Sequence, residues 1–181
     1  DNESIAFRNI EPLTLRSGLL LMDKSKLVRI MASSDYDACS QEQIEILIEY
    51  LLEHDFLHYA FVFVKNSFAR FEQYNSVFNV FPFVFFFLEK ILMEDKIPHS
   101  TKVSKLHTED LKQLMAVAPS FLFHPKFDSV PEHKAKYFEV LKLCCLNFGD
   151  TILEIVVRTA GIDKLMEHMN DDVVSSQGIF C

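Results

Sequence analysis

His54 and His58 stand four residues apart in the run HDFLH, the spacing at which two imidazoles on one helix face can share a zinc ion. The glutamate that would act as general base is missing between them. Asp55 is shorter by a methylene and falls where the helix is expected to break. No later cluster of His and Glu offers a third ligand, so no metal is expected. Cys144 and Cys145 are adjacent and could form a reactive pair, yet both lie on or beside the apolar face of an expected helix. A thiol placed there serves as a small hydrophobe. With 4 glycines in 181 residues, the chain has neither a glycine-rich phosphate loop nor a GxSxG elbow. These absences point to a chain that is not an enzyme and carries no cofactor.

The elements expected to position these residues are helices. Residues 1–11 are polar and irregular, and 12–170 are expected to form a single all-α domain. One or two helical segments between residues 13 and 33 should be interrupted near Ser17-Gly18. Ser40 and Gln43 spell a capping box for a helix from Gln41 to about His54. On it Ile44, Leu47, Ile48 and Leu51 share one face and Glu42, Glu45, Glu49 and Glu53 the other. Asp55 can cap a second helix from Phe56, apolar on every side in its first half. A third follows Asn75-Ser76, with Pro82 kinking it or marking its start, and ends near Met93. A polar connector occupies residues 95–107.

Beyond the connector, Thr108 can cap a short helix stopped by Pro119, with an irregular hydrophobic loop after it. Pro131 suits a first helical turn and Gly149 the residue just past a helix end. Asp150 can cap the next helix, which Gly161 ends; Ile162, Leu165, Met166 and Met169 line the last. The tail 171–181 lacks periodicity and should be flexible. No alternating strand pattern occurs. The fold class is therefore all-α, an irregular helical bundle or a short armadillo/HEAT-like solenoid of about six to eight helices.

A formal charge of −8 disfavours nucleic acid and anionic membrane surfaces as partners, because both are gripped by clustered Lys and Arg. The apolar run from Val77 to Leu88 is too short to span a bilayer, which needs about 20 residues, and reads as a buried core helix. Four cysteines without a CxxC suggest reduced thiols. The opening Asp1-Asn2-Glu3-Ser4 has no leader-like pattern. Cytoplasm or nucleus is the expected compartment.

Two stretches resemble known families. The run from Ile44 to Ser67, through Ile46-Leu47, Tyr50-Leu51, Phe56, Ala60 and Phe63, resembles a LisH motif, a helix-turn-helix that dimerises, although Asp55 stands where a glycine or small polar residue is usual. Residues 150–169, with AGIDKLMEHM at their end, are similar to the helix junction of armadillo-type repeats. Both resemblances imply binding rather than catalysis.

The excess of Phe, 18 residues with no Trp, is the other signal. So many rings on consecutive helices suggest that some reach a partner, since exposed aromatic patches mark interfaces. The expected function is that of a scaffold or adaptor binding another protein chain, a homodimer or a heterologous partner, through the hairpin 41–72 and the Phe-rich helix to Met93. Candidate contact residues are Tyr50, Phe56, Tyr59, Phe63, Phe68, Phe71, Phe78, Phe81 and Phe85, with Glu42, Glu45, Glu49 and Glu53 as an acidic face that a basic partner would relieve. The alternative is an all-α carrier or enzyme enclosing an apolar ligand.

Overall fold

Local signals set most of the helix boundaries. The computed structural model describes residues 10–20, 27–31, 36–67, 74–93, 105–124 and 131–169, with the side chains at 20, 28, 29 and 74–79 outside that description. Helices α1 (Pro12–Leu20) and α2 (Leu27–Met31) precede a single 3₁₀ turn at Tyr36–Ala38. Helix α1 runs through Ser17 and Gly18, where an interruption was expected. Helix α3 (Gln41–Glu53) starts at the capping box: Gln43 N–H donates to Ser40 Oγ at 3.2 Å, and Ser40 N–H donates to Gln43 Oε1 at 2.8 Å.

Helix α4 (Phe56–Ser67) follows a turn at His54-Asp55, and α5 (Tyr74–Met93) is continuous, with Pro82 in its interior rather than at its start. Helix α6 (Thr108–Leu122) likewise passes Pro119, the residue expected to stop it, and its N-cap is His107 rather than Thr108. Proline has no N–H, so the carbonyl four residues back, Met115, loses its helical donor. The Tyr137 hydroxyl, from the facing helix, donates to Met115 O at 2.7 Å and fills that vacancy. Phe121, Leu122 and Phe123, assigned from sequence to a loop, are therefore helical or helix-capping and buried.

Pro131 opens α7 (Pro131–Phe148) as expected. Gly149 ends it at φ 72°, a left-handed conformation that glycine adopts without a Cβ clash. Asp150 precedes α8 (Thr151–Ala160) without a side-chain cap, and Gly161, at φ 90°, leads into α9 (Ile162–Met169). The expected tail and most of the expected connector lie outside the described residues.

No strand occurs among the described residues, and the fold is all-α. Its most extensive contacts join each helix to the second one after it: α4 to α6, α5 to α7 and α6 to α8. Hairpin contacts α4–α5, α7–α8 and α8–α9 complete the pattern. Helix pairs stacked in this way bury a continuous core between successive layers, as in a solenoid. Phe83 and Phe87, 4.6 Å between centroids, pack with Tyr36, while Phe81 and Phe85 meet Phe121 and Tyr137. Polar contacts pin α5 to α7 at their margin: Asn147 donates to the Leu92 carbonyl at 3.2 Å, and Lys136 pairs with Glu89 at 2.9 Å. Among the described residues no helix is long and apolar enough to cross a membrane.

Candidate protein-binding surfaces

Because the capping box fixes where α3 begins, it also fixes which residues face out. Ile44, Leu47, Ile48 and Leu51 are buried, whereas Glu42, Glu45, Glu49 and Glu53 are all exposed, one turn apart along the helix. Ile46 and Tyr50, between the two stripes, are buried as well, on a helix that α1 packs against. Arg16 of α1 reaches Glu49 at 3.1 Å, and Lys105 reaches Glu53 at 3.0 Å.

Helices α1 and α3 do not close completely on each other. A half-open cleft of about 90 Å³ lies between them, lined by Leu19, Ile46 and Tyr50, which are buried, and by Arg16, Glu49, Glu53 and His54. The His54 ring stands 4.3 Å from that of Tyr50. Its Nδ1 is buried and has no hydrogen-bond partner among the described residues.

The turn after α3 is clamped to the start of α6. Asp55 and His107 both take left-handed backbone conformations, φ 52° and φ 50°, and His107 Nε2 meets Asp55 Oδ1 at 2.6 Å. A non-glycine residue pays roughly 1–2 kcal/mol for that conformation, with Asp among the more tolerant. The Asp55 carbonyl accepts the N–H of His58 at 3.0 Å, starting α4. His58 Nδ1 lies 3.4 Å from Asp110. The two histidines of HDFLH are thus committed to different neighbours, one to the cleft and one to α6. Among the described residues no group of His, Cys, Asp and Glu is arranged to hold a metal ion.

The expected aromatic interface divides differently. Tyr50, Phe56, Phe81 and Phe85 are buried in the chain's own core and are not presented on its surface. Phe81 and Phe85 stack with centroids 5.4 Å apart on α5, which α2, α4, α6 and α7 cover from several sides. Phe68 and Phe71 lie outside the described residues, as does the side chain of Phe78. Tyr59 and Phe63 are half-buried on α4. Beside them are half-buried Phe61 and exposed Val62, at 36%. Val62 was not singled out from sequence because α4 has apolar residues all round and offers no polar face to mark its outer side. Leu146 of α7 and Ile162 and Met166 of α9 are further exposed apolar side chains.

Residues that carried the LisH resemblance, Ile46, Leu47, Tyr50, Leu51, Phe56 and Ala60, are buried within this one chain, leaving Phe63 as the partly exposed member. The armadillo-like stretch does form two helices about Gly161, with Leu165 and Met169 buried and Ile162 and Met166 exposed. Cys144 is buried, and burial pushes its thiol well above the usual range; the Cys145 thiol is raised less, first by burial and then by Asp150. A thiolate is the reactive form, and Cys144 belongs to the packed core, whereas Cys145 is half-buried beside it. Compared with protein-family models, curated proteins and solved structures, the chain finds no match.

Proposed function

We propose that this chain is a protein-interaction domain, a scaffold or adaptor of the cytoplasm or nucleus, that receives a partner chain on the outer face of α4. The observation that carries this reading is the partly exposed apolar set Tyr59, Phe61, Val62 and Phe63, on a molecule whose other described Phe side chains are mostly buried. Aromatic and aliphatic side chains left half in water favour a docked chain, because covering them returns about 25 cal/mol for each Å² of apolar surface. A carrier role finds less support. The rings of Phe81, Phe83, Phe85, Phe87, Phe121 and Tyr137 fill the space between their helices by packing on one another, where a carrier would keep room for a ligand.

A photo-crosslinking amino acid at position 62, compared with the same group at exposed Lys142 on α7, tests the reading. Protein adducts of discrete mass from position 62 alone are expected, and adducts the size of two chains would mean a homodimer. Equal labelling from both positions, or a copurifying apolar small molecule with no adduct, overturns it.

A further inference from the structure

The cleft between α1 and α3 lies on a different helix from the α4 face and differs from it in chemistry. Its floor is apolar, formed by Leu19, Ile46 and Tyr50, while Glu49 and Glu53 stand on its lining. Glu45 continues the same stripe one turn earlier, and each turn advances about 5.4 Å along the helix. The C-terminal end of α3, a 13-residue helix, adds the negative end of its dipole beside Glu53. The cations already present hold their places weakly. Arg16 and Lys105 are 49% and 43% exposed, and their partners Glu49 and Glu53 are 63% and 60% exposed. Pairs so open to water contribute little to stability, so giving them up costs the chain little.

We propose that this cleft binds a segment of a partner protein in which an aliphatic or aromatic side chain is flanked, one helical turn away, by Lys or Arg. The apolar side chain enters between α1 and α3, and the flanking cations take Glu49 and Glu53 in place of Arg16 and Lys105. A second copy of this chain is a poor occupant, because each copy carries a net charge of −8 and would bring like charge to the rim. Nucleic acid and anionic lipid are repelled for the same reason.

The test is fluorescence anisotropy with the full chain and a labelled helical peptide of Ala and Lys that carries one central Leu, its lysines one turn to either side. Saturable binding is expected, weakening as salt rises. Glu49→Lys with Glu53→Lys should weaken it about ten-fold or more, while Glu132→Lys with Glu154→Lys, the same charge change at exposed sites on α7 and α8, should leave it within about two-fold. Replacing the peptide's Leu by Asn should also abolish it. Circular dichroism checks that each variant keeps its helices. The proposal falls if no saturable binding occurs, if both double variants lose it equally, or if the Leu is dispensable. It falls too if light scattering finds a dimer that the Glu49 and Glu53 changes dissociate, which would give the cleft to a second copy. Val62→Glu should leave peptide binding unchanged, so failure at the α4 face and failure at the cleft are told apart.

Discussion

The layer formed by α5 and α7 and the edge formed by α1 and α3 treat water in opposite ways. Where α7 meets α5 and α6, aromatic rings meet one another, and the polar groups described there satisfy a particular carbonyl or charge: Asn147 at Leu92 and Lys136 at Glu89 on α5, and Tyr137 at Met115 on α6. Between α1 and α3, apolar contact is incomplete, and a cleft remains under a row of solvated carboxylates. A dry, filled layer maintains the fold and has nothing to offer a ligand. An incompletely closed edge contributes less to stability and keeps a cleft beside carboxylates whose ion pairs stand open to water. Substitutions in the α5–α7 layer should therefore change stability, and substitutions at the α1–α3 edge should change binding.

The comparison breaks most sharply at Phe85, which is 1% exposed and meets Tyr137 edge-on at 5.7 Å. Phe85→Ala should cost about 3–5 kcal/mol of unfolding free energy, the range for deleting a buried aromatic ring. Urea denaturation followed by circular dichroism measures it. A loss below about 1 kcal/mol would mean that the layer is not the principal core.

Tyr137→Phe keeps the ring and removes one hydrogen bond, leaving the Met115 carbonyl without a donor. The expected cost is about 1–3 kcal/mol, set by stranding a buried acceptor. The assignment sharpens with Pro119→Ala, which restores the helical N–H to that carbonyl. In the Pro119→Ala background Tyr137→Phe should cost distinctly less, and the coupling is read from a double-mutant cycle. Additive costs would show that the hydroxyl does not stand in for the missing N–H.

Pro119 also shows why part of the fold was legible and part was not. Boundaries written in a few neighbouring residues, such as the Ser40–Gln43 capping box, Pro131, Gly149 and Gly161, lie where sequence spacing puts them. Continuation through Pro119 depends on a hydroxyl 22 residues away, which no local pattern reports. The outward face of α3 was legible because charge alternates with apolar residues at helical spacing. The allocation of Phe to core or surface was not, because α4 and α5 are apolar around most of their circumference and periodicity cannot orient them. The cleft joins Leu19 to Ile46 and Tyr50, residues whose proximity exists only once α1 packs on α3.

Asp55 ties the end of α3 to the start of α6, in a left-handed turn bonded to His107. Asp55→Ala keeps the unfavourable conformation and loses the hydrogen bond, so about 1–2 kcal/mol of destabilisation is expected. Asp55→Gly loses the same bond but relieves the conformation and should come closer to wild type. Equal losses in thermal unfolding would mean that the contact to His107, rather than the backbone, governs the turn.

The smallest effect belongs to the pairs at the edge. Arg16–Glu49 and Lys105–Glu53 each bridge separate segments, and both are largely in water. Coulomb attraction there is screened, and ordering two long side chains offsets most of it. A double-mutant cycle of Arg16→Ala and Glu49→Gln should therefore give a coupling below about 1 kcal/mol, fading further at high salt. A coupling of about 3 kcal/mol, comparable to breaking a buried pair, would make the edge as firmly built as the α5–α7 layer. Arg16 could not then be displaced by an incoming cation at small cost, and the contrast between the two regions would lose its functional meaning.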